Sequence, residues 1–203
     1  MKIADGLAVE KVACTQGSYV YYVPGDHPVL IDAGLPGRGA AILDECRSFG
    51  RPPSHLVITH YDIDHIGSAA WLQEATGATV WVPADDAPYI AGERPRPGLK
   101  RLIAALMHPV PPKTPRLMHD GEVVANLTAV ATPGHTPGHL AFSGAGFVAV
   151  GDALTVRAGR PVALGSLLTW RRDLAATSMA AIMAGGARWI LPAHAEPFWW
   201  DGS

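Results

Sequence analysis

The chain has 203 residues, 48% of them hydrophobic, with 16 basic against 18 acidic side chains and a formal net charge of −2. That length fits one domain, and the composition can bury a sizeable core. The near-balance of charge argues against a nucleic-acid partner or an anionic membrane surface, and the sequence has no apolar run of about 18 residues, the length a membrane-crossing helix needs.

In chain order, Leu7–Cys14 and Ser18–Val23 are β-rich, and Pro24–Gly25–Asp26 turns the chain into a third apolar strand, Val29–Ile31, which ends at Asp32–Ala33–Gly34. Ala40–Phe49 reads as a helix closed by Gly50 and by Pro52 and Pro53. His55–Thr59 is a short buried strand, Ser68–Thr76 a helix stopped by Gly77, and Thr79–Val82 another strand. Residues 84–120 are rich in proline and carry one predicted helix, Leu99–His108. They read as an insertion over a pocket within a single domain spanning 1–203. Strands resume at Glu122–Val124, Leu127–Thr132, Leu140–Ser143 and Phe147–Val150. Asp173–Ala184 is a helix, and Arg188–Leu191 a last strand. The opening MKIADGLAVE lacks the charged-then-apolar form of a signal peptide, and Cys14 and Cys46 are isolated, so a cytoplasmic protein with structural thiols is the expectation.

The chemistry concentrates where apolar strands stop. THYDIDHIG, 59–67, gathers His60, Asp62, Asp64 and His65 behind Leu56–Ile58. PGHTPGH, 133–139, follows Ala131 and holds His135 and His139. GDA, 151–153, places Asp152 after Val150, and PAH, 192–194, places His194 after Leu191. Strand ends are rigid platforms for loops that carry function. Imidazole suits zinc and iron, and carboxylate suits harder ions. Seven ligand-type residues suffice for two divalent ions sharing one carboxylate, with room left for water. His27, His55, His108 and His119 lack such surroundings and read as structural or exposed.

These motifs, in this order from about Gly17 to His194, resemble the metallo-β-lactamase superfamily, and PGHTPGH is most similar to its glyoxalase II-like and lactonase-like hydrolases. The resemblance implies an α/β fold, a four-layered αββα sandwich, with a dinuclear site at one edge. It implies that one ion takes His60, the residue at 62 and His135, that the other takes Asp64, His65 and His194, and that Asp152 bridges them. Asp64 would also orient the attacking hydroxide. Asp32, in a strand ending Asp-Ala-Gly, resembles the acid that orients a ligand histidine, and His139 reads as a supporting residue behind the ligands. Tyr89 is the candidate contact to substrate in the insertion.

The departure is Asp62, where the usual pattern has His. Three readings stand open: an oxygen ligand, a weakened first position that leaves one ion, or a loss of catalysis. The flavodiiron branch, which places Glu there, makes iron or manganese admissible beside zinc. The implied function is a metal-dependent hydrolase of a small ester, thioester or lactone. The alternatives are a mononuclear non-haem iron enzyme of the persulfide dioxygenase kind and a non-catalytic metal-binding protein. The partner implied is a small-molecule substrate. The oligomeric state stays open, a homodimer being one option.

Overall fold

The computed structural model describes residues 4, 8–107, 109–165 and 167–202. Leu7, where the first predicted strand begins, and His108, where the predicted insertion helix ends, lie outside the described residues.

Two six-stranded sheets form the body. The first runs β1 (Glu10–Val12), β2 (Val20–Val23), β3 (Val29–Ile31), β4 (His55–Val57), β5 (Thr79–Pro83), β6 (Arg116–Met118), in that spatial order. Its β3, β4, β5 and β6 pair in parallel, because α1 (Gly39–Ser48) and α3 (Ala69–Thr76) make the crossovers between β3, β4 and β5. A one-turn helix, α2 (Ile63–Ile66), precedes α3, and α4 (Ala87–Ile90) and α5 (Lys100–Leu106) lie between β5 and β6. The second sheet is built from β7 (Val123–Val124), β8 (Leu127–Ala131), β9 (Leu140–Gly144), β10 (Phe147–Gly151), β13 (Trp189–Pro192) and β14 (Phe198–Trp199). A separate hairpin, β11 (Leu154–Arg157) with β12 (Arg160–Ala163), and α6 (Arg172–Ala184) fall between β10 and β13.

The layering follows from strand alternation. On β2, Val20 and Tyr22 pack with Ile42, Leu43, Ala69 and Leu72 of α1 and α3. Tyr21 and Val23, pointing the other way, pack with Leu127, Ala129, Phe142 and Leu191 of the second sheet. On β10, Ala149 joins that inter-sheet core, while Val148 and Val150 pack with Ile182 of α6. The order is helix, sheet, sheet, helix: an αββα sandwich with each sheet apolar on both faces. Buried aliphatic and aromatic area of this kind contributes roughly 25 cal/mol per Å² removed from water.

The predicted strands and helices of the frame are present, most within one or two residues at each end. The differences are short elements. The insertion helix runs Lys100–Leu106, and α4 and β6 flank it. The hairpin β11–β12 and the edge strand β14 have too few residues to show a hydrophobic period.

One close approach fixes where the PGHTPGH loop sits. Gly134 has φ +140, and a Cβ there would lie 2.3 Å from the backbone N and 2.5 Å from the Cα of Ala175 in α6. The loop and helix are also tied by Ser178, whose hydroxyl donates to the Pro133 carbonyl at 2.7 Å. Gly134→Ala therefore forces both a disfavoured backbone and a displacement of α6. We expect a loss of about 2 kcal/mol or more, which lowers Tm by roughly 4–8 °C. An unchanged melting curve would show that α6 does not need this contact.

Candidate metal centre

The site begins with a buried carboxylate. Asp32 follows β3 with φ +66, a left-handed conformation Asp tolerates better than most residues, and is 2% exposed. Oδ1 accepts from the Thr59 backbone N–H at 2.8 Å, and Oδ2 accepts from the Thr59 hydroxyl at 2.9 Å and lies 2.7 Å from Nδ1 of His65. A carboxylate only accepts, so His65 donates from Nδ1, and Nε2 is the nitrogen left to offer a lone pair to an ion. Thr59 has its one hydroxyl proton on Asp32 and so accepts from Nδ1 of His60 at 3.0 Å. Asp32 thus fixes the tautomer of His65 directly and of His60 through Thr59. In both rings Nε2 faces the space beyond the sheet ends. Both Nε2 atoms are buried with no hydrogen-bond partner, as is Oδ1 of Asp152.

The second sheet delivers the rest. Asp152 leaves β10 at a register shift between Ala149 and Gly151, a bulge that re-aims the chain beside the site. Gly151 has φ +48, and a Cβ on it would be 2.9 Å from both His139 Nε2 and Thr59 Oγ1. His139 is 1% exposed. Its Nδ1–H donates to Thr132 Oγ1 at 2.8 Å, and its Nε2 accepts from the Asp152 backbone N–H at 3.1 Å. His139 therefore sits behind Asp152 with both nitrogens engaged. His194 donates from Nδ1 to the Gly17 carbonyl at 2.8 Å, turning Nε2 toward Asp64 and Asp152.

Two groups of donors result, the atoms of each lying within 4.8 Å of one another: His60, Asp62, His135 and Asp152; and Asp64, His65 and His194. Asp152 reaches the second group too. His194 Nε2 is 3.3 Å from Asp64 Oδ2 and 3.2 Å from Asp152 Oδ1, while His65 Nε2 is 3.4 Å from Asp152 Oδ1 and 3.7 Å from Asp64 Oδ2. Zinc bonds of ~2.0–2.2 Å in a tetrahedron place neighbouring donors about 3.3–3.6 Å apart. The four separations among the second group and Asp152, 3.2 to 3.7 Å, lie close to that range and suit one ion. Asp64 and His194 are its solvent-facing members, at 23% and 31% side-chain exposure, so water reaches it from that side.

The first group contains a residue that sequence reasoning did not single out. Lys100, 3% exposed, opens α5 and directs Nζ to within 2.6 Å of Asp62 Oδ2 and 2.9 Å of His135 Nε2. Its ammonium also lies 5.0 Å from the Tyr61 ring, as does the Arg96 guanidinium. Asp86, fully buried, was likewise missed. It accepts from Thr136 Oγ1 and from the Gly138 N–H, both at 2.7 Å, and from the Tyr61 N–H at 3.3 Å. It thereby ties α4 to both ligand loops. Neither residue belongs to a motif; both are joined to the site by contacts far apart in sequence. Tyr89 packs against Tyr61 with ring centroids 5.3 Å apart and lines a cavity of about 450 Å³ with Arg94, Arg96 and Arg101. It stands beside the ligand loop, not among the donors.

Electrostatics follow from burial and partners. Burial holds His60 well below the usual imidazole range, and the neighbouring His65 adds to this. Burial likewise pushes His139 down to about 3, so both rings are neutral. Burial works to raise the Asp62 carboxyl, but Lys100, His135 and His60 hold it well below its ordinary value. Burial opposes the charge on Asp152 also, and His65, His135 and His194 overcome it. Burial disfavours a proton on His65, yet Asp64, Asp32 and Asp152 raise it well above an ordinary histidine. Asp152 and Asp64 push His194 up to about 10.

The profile of the metallo-beta-lactamase superfamily matches residues 12–194. The chain is similar to the probable metallo-hydrolase YflN of Bacillus subtilis (33% identity over 145 residues, 62% of this chain and 55% of that one). It is also similar to the hydroxyacylglutathione hydrolase of Serratia proteamaculans (25% over 146 residues, 68% and 48%). It thus spans about half the length of these two relatives. Among solved structures, TTHA1623 in a di-iron-bound form superposes with a TM-score of 0.72 at 27% identity, covering 91% of this chain and 92% of that one. The chain belongs to the metallo-β-lactamase superfamily.

Proposed function

We propose that the chain is a metal-dependent hydrolase of a small ester, thioester or lactone. One observation carries this reading: His65 Nε2, His194 Nε2, Asp64 Oδ2 and Asp152 Oδ1 stand at separations suited to one ion, and two of these buried atoms have no other partner. A divalent ion held there supplies Lewis acidity toward a carbonyl oxygen and acidifies water to near neutral pH. The chain's own residues do the rest. Asp32 and the Gly17 carbonyl hold His65 and His194 in the tautomers that present Nε2. His139 holds the backbone of Asp152. Asp64, kept ionised by His65 and His194 against its burial, accepts a hydrogen bond from the attacking water and orients it. The 84–120 segment covers the acyl group, with Tyr89 on its path. A relative named hydroxyacylglutathione hydrolase supports the thioester within this class. The di-iron-bound neighbour supports iron beside zinc as the ion.

A second reading has one specific observation in its favour. Asp64, His65 and His194 are two histidines and one carboxylate, the donor set of non-haem iron oxygenases. An enzyme of the persulfide dioxygenase kind would consume oxygen with a glutathione persulfide. The hydrolase would not, and would turn over esters, thioesters or lactones under nitrogen.

Purified protein should contain a divalent ion, and its hydrolysis of a responsive substrate should stop when a chelator strips the ion and return on reloading. His65→Ala should lose the ion and at least ~100-fold in kcat/KM. Full activity after complete stripping would end the metallo-hydrolase reading.

Supporting residues should behave differently from donors. Asp32→Asn leaves His65 Nδ1 without its carboxylate and should weaken metal binding by roughly 10–100-fold. His139→Ala should keep the ion and lose activity or stability. Metal loss in His139→Ala as large as in His65→Ala would show that the two roles are misassigned.

Metal affinity should rise with pH. His65 and His194 hold protons to higher pH than ordinary imidazoles in the ion-free protein, so an incoming ion must displace them. Calorimetry at neutral pH in two buffers of different ionisation enthalpy should detect the release of roughly one to two protons per ion. Uptake without proton release would contradict these environments.

A further inference from the structure

The first donor group already holds a cation. Lys100 Nζ lies 2.6 Å from Asp62 Oδ2 and 2.9 Å from His135 Nε2, and those two atoms are only 3.0 Å apart. An ammonium only donates and a carboxylate only accepts, so Nε2 of His135 either offers its lone pair to Lys100 or carries a proton that it donates to Asp62. An imidazole nitrogen has one lone pair; directed at Nζ or taken up by a proton, it is not available to an ion. The Asp62 carboxylate, the group that replaces the usual histidine, is likewise paired with Nζ. We propose that the Lys100 ammonium takes the place of the first metal ion, so that this chain loads one divalent ion, among Asp64, His65, Asp152 and His194, with Lys100 serving as the fixed second cation.

Charge balance points the same way. One divalent ion (+2) and Lys100 (+1) neutralise Asp62, Asp64 and Asp152 (−3). Adding a second divalent ion while Lys100 stays would set five positive charges against the three negative charges of these donor carboxylates, a heavier demand for compensation in a desolvated site. Lys100 is also anchored. Its side chain is 4% exposed and lies against the Tyr61 ring. Asp86 fastens α4, earlier in the same β5–β6 connection, to both ligand loops. The pairing gives Asp62 a physical role: a carboxylate binds an ammonium where an imidazole at this position would bind a metal. Lys100 is thus a positioning residue, which keeps Asp62 and His135 compensated and in place beside Asp152 without a second ion.

The inference rests on the metal-binding reading above, and metal stoichiometry separates the two. Wild-type protein loaded with excess zinc, iron(II) or manganese and freed of loose ions should retain about one ion per chain. Anomalous scattering from a crystal should place that ion with Asp64, His65 and His194. Lys100→Met keeps the apolar stem beside Tyr61 and removes the charge; it should retain about two ions, the second bound at His60, Asp62 and His135, with circular dichroism confirming the fold. Two tightly held ions in wild type would overturn the proposal and leave the metallo-hydrolase reading intact. One ion in wild type and still only one in folded Lys100→Met would overturn it as well, because Lys100 would not be what excludes the second. No ion in wild type would remove both readings. The wild-type measurement stands even if Lys100→Met does not fold.

Discussion

The Asp32 carboxylate is the constraint on which the centre depends. It is buried at the end of β3, where an unpaired charge would cost several kcal/mol, and it is stabilised by the Thr59 N–H, the Thr59 hydroxyl and the Nδ1–H of His65. The two-residue run Thr59–His60 and the helix α2 carrying His65 are both docked on this one side chain. The direction of the hydrogen bonds matters as much as their number. Because Asp32 can only accept, every ring it controls must present Nε2 outward. Rotating either ring, or moving its proton from Nδ1 to Nε2, would break this chain of donors. The chemistry of the loop is therefore decided one layer beneath it, in the ladder between β3 and β4.

The second sheet solves the same problem differently. Asp152 is placed by backbone geometry: a bulge in the pairing of β10 with β13, a glycine that leaves room for His139 and Thr59, and a neutral imidazole that accepts the Asp152 N–H. Burial keeps His139 neutral and so keeps Nε2 an acceptor. A carboxylate holds the first sheet's ligands, and a histidine holds the second sheet's shared carboxylate. The inter-sheet core of Tyr21, Val23, Ala129, Phe142 and Leu191 sets the distance between these two assemblies.

Most of this was legible from local sequence. Strand ends followed by His and Asp marked β4, β10 and β13 and the loop after β8 as the platform, because apolar runs and motif spacing are short-range properties, while Asp32 after β3 was marked by the resemblance of its Asp-Ala-Gly ending. The short elements were not, since α2, β6 and β14 have between two and four residues and show no period. Lys100 and Asp86 were illegible for another reason. A lysine opening a helix in a proline-rich segment resembles any solvated lysine, and Asp86 resembles a turn residue. Their roles exist only once the β5–β6 connection folds back on loops 25 to 52 residues away. Tyr89 was singled out from that segment because an aromatic residue suggests contact with substrate, but the group that enters the donor cluster is the lysine at the start of α5.

Position 62 shows how such a gap distorts a reading. Taken alone, Asp62 is an oxygen donor standing where the usual pattern has an imidazole nitrogen, and the natural question is which metal prefers oxygen. Beside Lys100 the question changes. An aspartate–lysine pair buried against Tyr61 is a self-neutralising unit, whereas an aspartate there with no lysine would call for a divalent ion, and a lysine with no aspartate would be a bare buried charge. Each residue is costly without the other. The identity at 62 therefore cannot be interpreted before the identity at 100 is known. The departure from the usual motif is better read as half of an exchange, in which a side chain supplied by the connection between β5 and β6 assumes the electrostatic role of an ion drawn from solution.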